Sequence, residues 1–425
     1  MITRRTLLVG TAGLAASSML TGCRPQANAL RMTLLEGAIP PEVIKQFRRQ
    51  TDESVRLKVL PQMHRVFQQL QSWQQSPEAA AALWRRLAPW QPEQTAPLSD
   101  SLVSLGDYWL TEAIAQNLIE PLSISEDAWE RLPVQWQQFI SRDSQGQVAG
   151  QTASQDSVDL QRWAAPYKVQ ALTIVYRQSL TESKPGSGSP YQTWEDLLDA
   201  RLNQRIALPD HPNIILGLLQ KIQSGRFNTS FDSVVNSSAS IPQLTEQLQA
   251  QFAEPFQRVT QQVKTYDSST ALKALINGDV RVAVAWSSDV VTALQRYRDL
   301  RAAIPTDGTL LSADMWVQPV GTDLSATAKQ WIDFCWQPGP AAQISVSGRG
   351  ISPVFLSDQV ALPEVLSGSL LATAALENSE PLLPLPSNLQ AAYFSVWHSA
   401  GRFYSSPTSL PNLRSPVEGP SFNRP

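Results

Sequence analysis

The chain has 425 residues, 42% hydrophobic and 17% charged, with 34 Lys plus Arg against 37 Asp plus Glu for a formal net charge of −3. An apolar share of that size supports a packed core and excludes a fibrous or wholly disordered chain. At roughly 100–200 residues per domain the length points to two or three domains, and a mildly acidic chain without a basic block argues against a nucleic-acid partner.

Met1 to Arg5 is a positive start carrying Arg4 and Arg5, and Leu7 to Leu20 is an apolar, small-residue stretch too short to span a bilayer. Thr3-Arg4-Arg5-Thr6-Leu7-Leu8 resembles a twin-arginine export signal. Val9 stands where Lys is usual, which leaves ordinary secretory export open. Leu20-Thr21-Gly22-Cys23 matches a bacterial lipobox, implying removal of residues 1–22 and acylation of Cys23. The alternative is a plain secreted chain with a chance cysteine. Several acyl chains hold a protein at a membrane far better than one, so the expected product is exported, periplasmic and lipid-anchored. Cys335 is the other cysteine. With Cys23 lipidated it has no partner, and within Trp331-Ile332-Asp333-Phe334-Cys335-Trp336 it is expected to be a buried small hydrophobe.

After a tether over 23–29, Leu30–Leu35 reads as a strand, and Pro40-Pro41 opens a helix whose apolar face is Val43, Ile44 and Phe47. Ser54–Leu60 alternates as a strand and His64–Trp73 is helical. Ser76–Ser99, rich in Ala, Trp, Pro and Gln, reads as an insertion. Ser101–Leu105 is a strand and Leu110–Gln116 a helix. A second set of elements starts near Trp163, with a β-rich run at Ala171–Tyr176 and a flexible loop at Lys184–Pro190. Trp194–Ala200 (helix), Arg205–Leu208 (strand) and Ile214–Ile222 (helix) follow. Ser268 or Ser269 is expected to cap a helix that Gly278 ends. Val282–Trp286 is an apolar strand suited to a sheet covered on both faces. Ser406–Pro425, rich in proline and without periodicity, is expected to be a disordered tail. The alternation of strand and helix predicts α/β layers with largely parallel sheets.

An ordered series of short segments across roughly residues 31 to 355 resembles the extracellular solute-binding proteins of ABC importers, and among them the spermidine/putrescine-binding type. The segments are Ile39-Pro40-Pro41 with Ile44, Gln46, Phe47 and Thr51; Leu102-Val103 through Tyr108, with Ile119-Glu120-Pro121-Leu122; Pro166-Tyr167 with Ile174-Val175-Tyr176-Arg177; and Thr193-Trp194-Glu195-Asp196-Leu197. Ile206-Ala207-Leu208-Pro209-Asp210, Ala283-Val284-Ala285-Trp286-Ser287, and Ile304-Pro305 with Gly308, Asp314 and Pro319 complete the series. The resemblance implies an α/β fold of two periplasmic-binding-protein lobes, type II-like, joined by crossing segments and closing by hinge motion on a ligand between them. The expected partners are a small molecule and the ABC permease subunits, with no cofactor and a monomeric state. Crossovers are expected near residues 120–150 and 300–315. Residues 30–125 with 312–345 are expected to form one lobe, and 126–311 with 346–405 the other.

A polyamine needs carboxylates for its ammonium groups and aromatic faces for its methylene stem. The resemblance makes Trp286 the stacking tryptophan, with Ser287 beside it, and Asp314 the ammonium-binding aspartate of a crossing segment. The plain alternatives are a core aromatic and a turn aspartate. Ser312 stands where the family has an aromatic, and Trp316, on the same strand face, is the expected substitute. Tyr108 aligns with the aromatic at the cleft floor, while Asp107 is either an added ligand charge or a helix cap. Asp210 falls in the family's acidic segment, where His211 and Ile214 replace further acids. Glu36 keeps an acid in the first loop, although Leu35-Glu36-Gly37-Ala38 lacks the family's aromatic pair. His64, His211 and His398 lie too far apart in sequence for a zinc pattern, so no metal is expected. No nucleophile or acid/base constellation marks an enzyme. A sugar, polyol or metal-chelate ligand, or a lipoprotein with a sensory or assembly role, remain alternatives on the same scaffold.

Overall fold

The computed structural model describes residues 29–75, 101–149, 159–181, 189–228, 239–372 and 374–399. The expected export signal with Arg4 and Arg5, the expected lipidation at Cys23, the 76–99 segment, most of the 184–190 segment and residues 406–425 lie outside the described residues.

The first part of the chain runs β1 (Leu30–Leu35), α1 (Pro41–Thr51), β2 (Val55–Leu60), α2 (Met63–Gln75) and β3 (Leu102–Gly106). A 3-10 turn at Asp107–Trp109 leads into α3 (Leu110–Ala115), then β4 (Ile119–Glu120), α4 (Glu126–Trp129), α5 (Val134–Ile140), β5 (Ser141–Arg142) and β6 (Gln161–Arg162). The long β7 (Ala165–Arg177) opens the second part, with β8 (Ile206–Leu208), α6 (Pro212–Ser224), α7 (Ile241–Gln262), β9 (Val263–Tyr266), α8 (Ala271–Asn277), β10 (Val282–Trp286), α9 (Ser287–Arg296) and β11 (Leu300–Ala303). The chain returns along β12 (Leu310–Pro319), α10 (Ala326–Cys335) and α11 (Pro338–Gly348), and ends with β13 (Glu380–Pro381) and α12 (Ser387–Ser399).

Local chemistry sets these boundaries. Proline at the first turn costs no intrahelical hydrogen bond, and α1 and α6 each carry one there. Val43 and Phe47 are the buried face of α1. A reciprocal box of Ser240 and Gln243 opens α7. Before α8, the Asp267 carboxylate accepts the amides of Ser269 at 2.7 Å and Thr270 at 2.9 Å. Asp267, not Ser268 or Ser269, therefore supplies the side-chain cap, its Oδ1 accepting both amides while Oδ2 accepts from the Thr270 hydroxyl. The run at Trp194 forms a 3-10 turn, Trp194–Leu198, instead of an α-helix, held by its Thr193–Asp196 capping box.

One continuous sheet takes the order β2-β1-β3-β12-β7-β10-β8-β9. On one side β1 runs parallel to β2 and β3, with β12 antiparallel to β3. On the other β10 and β9 run parallel to β8, with β7 antiparallel to β10. Along this path each half has three parallel strands followed by one antiparallel strand, and those two, β7 and β12, pair with each other through Leu311–Trp316 and Ala165–Ala171, while β11 adds to β7 and β4 and β13 add to β12.

Apolar packing follows that seam. The first core takes β7 up to Ala171 and β12 from Leu311 onward, whereas the second takes Leu172 and Leu310. In β10, Val282 and Val284 enter the second core and Ala283 enters a third cluster on the opposite face. That sheet is covered on both sides, as its unbroken apolar run predicts. Trp163, Trp194, Trp331 and Trp336 are buried packing residues, and Cys335 is a buried free thiol. Trp136, Phe139, Ile140 and Trp163 also join the first core, as do Ile351, Val354 and Leu376. The predicted division at 125/126 therefore cuts through a packed cluster. β7 itself passes from the first core to the second between Ala171 and Leu172. A third crossing runs through β13, which pairs with Leu310 and Leu311.

Candidate functional site

A cavity of about 620 Å³ opens at the seam between the two cores. Its size falls within the roughly 300–1,000 Å³ typical of small-molecule sites. The turn after β3 and helix α3 contribute Asp107, Tyr108, Trp109 and Thr111, joined by Arg142 of β5. The second half contributes Asp210, His211 and Asn213 at the amino end of α6, Asp267–Ser269 before α8, and Trp286 at the end of β10. Ser312 of β12 lies at the seam, and Leu382–Leu385 form an apolar wall. Asn228 holds that wall, accepting the Leu383 amide at 2.9 Å and donating to the Pro381 carbonyl at 2.7 Å. Strand ends and helix starts converge here, as they do at ligand sites of open α/β sheets.

Asp107 is the best-held acid of the first wall. Its Oδ1 accepts from the Ser312 hydroxyl at 2.8 Å and from the Tyr108 amide at 2.9 Å. Burial between the walls nevertheless pushes its carboxyl up to about 6, opposed by the Ser312 hydrogen bond. Tyr108 is 44% exposed and meets His211 edge to face, with ring centroids 5.0 Å apart. This pair brings the two halves together across the cavity. Burial holds the His211 imidazole down to about 4, so it is neutral at physiological pH. The Nδ1 of His211 and the Oδ1 of Asn213 have no hydrogen-bond partner among the described residues. Asp267, held down to about 2 by the hydroxyls and amides of Ser269 and Thr270, adds a fixed negative charge. Trp286 is half-buried, packs against the second core and lines the cavity.

The cavity gathers Asp107, Tyr108, Asp210 and Trp286 of the residues expected from sequence, and four others lie elsewhere. Glu36 is exposed in the turn after β1 and is not among the residues that line the cavity. Ser287 is fully buried, and its hydroxyl accepts the Ala171 amide at 3.1 Å, pinning α9 to β7. Trp316 is fully buried and stacks on Tyr167 at 4.7 Å, so it packs the first core instead of replacing a cleft aromatic. Asp314 pairs with Lys168, Nζ to Oδ2 at 2.7 Å, with both side chains almost fully buried. The two residues are register partners on β12 and β7 at a β-bulge that skips Tyr167. The ammonium that Asp314 holds is therefore the protein's own. Gly350 makes room for it, since a Cβ there would lie 2.6 Å from the Lys168 stem and 2.7 Å from the Val169 carbonyl. Sequence reasoning missed Thr111, Arg142, Asn213 and the Leu382–Leu385 wall. Pro212 at the start of an apolar helix was the available signal for Asn213, whereas Arg142 sits in a polar stretch with no period to place it.

Among the described residues no group of three or more His, Cys, Asp or Glu is arranged to hold a metal ion. No described helix is long and apolar enough to cross a membrane.

The family model for bacterial extracellular solute-binding proteins matches residues 96–374. A curated relative, the putrescine-binding periplasmic protein PotF of Escherichia coli, is 20% identical over 197 residues, which is 43% of this chain and 49% of PotF. The chain thus spans about half the length of that relative. Among solved structures, the spermidine/putrescine ABC transporter substrate-binding protein PotD of Streptococcus pneumoniae superposes with a TM-score of 0.64 at 16% identity, covering 88% of this chain and 98% of PotD. The Tp0655 (TpPotD) lipoprotein of Treponema pallidum gives 0.56 at 16% identity, covering 87% and 98%. At such identities the structural likeness establishes the two-lobed α/β fold.

Proposed function

The chain belongs to the bacterial extracellular solute-binding proteins, and on that premise we propose that it captures a small organic cation of the polyamine type between its lobes and delivers it to the permease of an ABC importer. The reading rests on one observation: three carboxylates, Asp107, Asp210 and Asp267, and two aromatic rings, Tyr108 and Trp286, surround a single cavity at the seam. Carboxylates hold ammonium groups by charge-assisted hydrogen bonds, and ring faces cover methylenes while attracting the cation. Binding energy, without covalent chemistry, does the work: the ligand bridges walls from both lobes and so favours the closed form, which the permease reads. The PotF and PotD names support the ligand class.

The lobes in this proposal follow the packing, with boundaries at Ala171/Leu172 on β7 and Leu310/Leu311 on β12. Export with lipid anchoring at Cys23, which lies outside the described residues, would keep the captured solute beside the membrane. The test is a thermal-shift screen of the mature domain against putrescine, spermidine, neutral sugars, amino acids and ferric chelates. A ligand at a hundred times its dissociation constant stabilises the native state by about 2.7 kcal/mol. An amine-induced shift that Trp286→Ala reduces supports the proposal. A shift with neutral sugars alone overturns the cation while leaving solute capture intact.

A further inference from the structure

We propose that Arg142 is an anchor for an acidic group, so that the cleft selects an amine that also carries a carboxylate, its ammonium at Asp107 and its carboxylate at Arg142. The inference rests on the solute-capture reading above and narrows its ligand.

Arg142 is 1% exposed, yet it lines the cavity beside Asp107 and Thr111. Its guanidinium is fixed in place. Nε donates to the Phe139 carbonyl at 2.8 Å, Nη1 donates to the Thr111 hydroxyl at 2.8 Å and to the Gly146 carbonyl at 3.1 Å, and the group lies 4.5 Å from the centroid of the Phe139 ring. The turn that carries this carbonyl is itself constrained. Gly146 has φ +76°, and a Cβ there would lie 2.8 Å from the Thr111 Cα. The remaining nitrogen, Nη2, has no hydrogen-bond partner among the described residues. A charged guanidinium with Nη2 unfilled can donate charge-assisted hydrogen bonds from that nitrogen to a carboxylate.

The charge bookkeeping points the same way. Two carboxylates lie near enough to be felt by Arg142, Asp107 and Asp143, but neither contacts it as an ion pair. Asp143 is occupied by the amides of Gln145 and Gln147, each at 2.8 Å. Burial pulls the guanidinium down to about 9, which still leaves it charged at neutral pH. A buried charge without an ion-pair partner is costly, and an incoming anion relieves the cost. Thr111, which holds Nη1, lies four residues after Asp107 along the 3-10 turn and α3. The first-lobe wall therefore presents a carboxylate and a guanidinium about one helical turn apart. A simple diamine, positive at both ends, meets one of these favourably and is repelled by the other. An amino acid with a basic side chain satisfies both.

The experiment is isothermal titration calorimetry of the mature chain with two matched pairs, ornithine against putrescine and lysine against cadaverine. Members of a pair share the amine stem and differ by the carboxylate. The expected result is at least tenfold tighter binding of the amino acid in each pair, with Arg142→Gln losing that preference because the carboxylate loses its anchor and the diamine is no longer repelled. If Arg142→Gln does not fold, as judged by its melting curve, the unmodified chain and its two pairs decide alone. Diamines binding as tightly as the amino acids, or tighter, overturn the anchor and leave cation capture standing. Binding of neither class overturns both.

Discussion

The protein contains two juxtapositions of acid and base that differ in one respect. Lys168 and Asp314 are closed on each other at 2.7 Å beneath the crossing strands, sealed from solvent. Asp107 and Arg142 share the cavity wall, and the Asp107 charge is felt at Arg142 without an ion-pair contact. The closed pair satisfies itself and staples β7 to β12, where the lobes join. The open pair leaves each charge available to something that enters. Register makes the difference: a β-ladder places Lys168 directly opposite Asp314, whereas Asp107 and Arg142 come from a helical turn and a short strand that meet only through Thr111.

Breaking the closed pair should have the largest effect. Lys168→Met strands the Asp314 carboxylate in the interior and is expected to cost about 3–5 kcal/mol of stability, read as the midpoint of urea unfolding. Adding Asp314→Leu should recover most of that loss, since two apolar groups bury without an orphaned charge. A Lys168→Met chain as stable as the parent would show that the pair does not staple the strands. At the open pair the effect should appear in binding instead of folding. Asp107→Asn is expected to weaken amine binding by about 2 kcal/mol, roughly thirtyfold, with little change in melting temperature. Trp286→Ala removes a ring face and should cost about 1–2 kcal/mol of the same affinity.

The smallest expected effect is a pH dependence. Asp107 has a carboxyl raised to about 6, so its contribution to the stability of the ligand-free protein is fully present below the usual carboxylate range and is lost as pH rises through about 6. An ammonium ligand needs the ionised form. Its affinity should therefore strengthen about tenfold from pH 5 to pH 7 and level off above. His64 also lines the cavity, so the decisive comparison is Asp107→Asn, whose binding should be flat over that range. His211, held down to about 4, stays neutral throughout.

The fold was legible where a period or a stop signal marked it. β1, α1, β10 and the end of α8 at Gly278 fall where apolar spacing, proline and glycine put them. The packing of Trp136, Phe139, Ile140 and Trp163 into the first core was not, because they sit on or beside short elements whose burial depends on a core assembled from distant strands. Of the residues expected from the resemblance, Asp107, Tyr108, Asp210 and Trp286 line the cavity, and each ends or follows a strand. Asp314 was misplaced for a physical reason: nothing local says that the residue across the ladder is a lysine, so a buried counter-ion is invisible in one strand's sequence. Arg142 was missed for the converse reason, since a lone arginine after a short helix reads as solvated surface until Thr111 and Gly146 are seen to hold it.

The account turns on an amine entering the cavity at the seam, and a crystal structure of the mature chain grown with spermidine tests that most directly. It predicts an ammonium nitrogen within hydrogen-bond distance of the Asp107 carboxylate, with the methylene stem against the Trp286 ring. Spermidine bound away from this cavity, or a cavity without it at saturating concentration, would contradict the account.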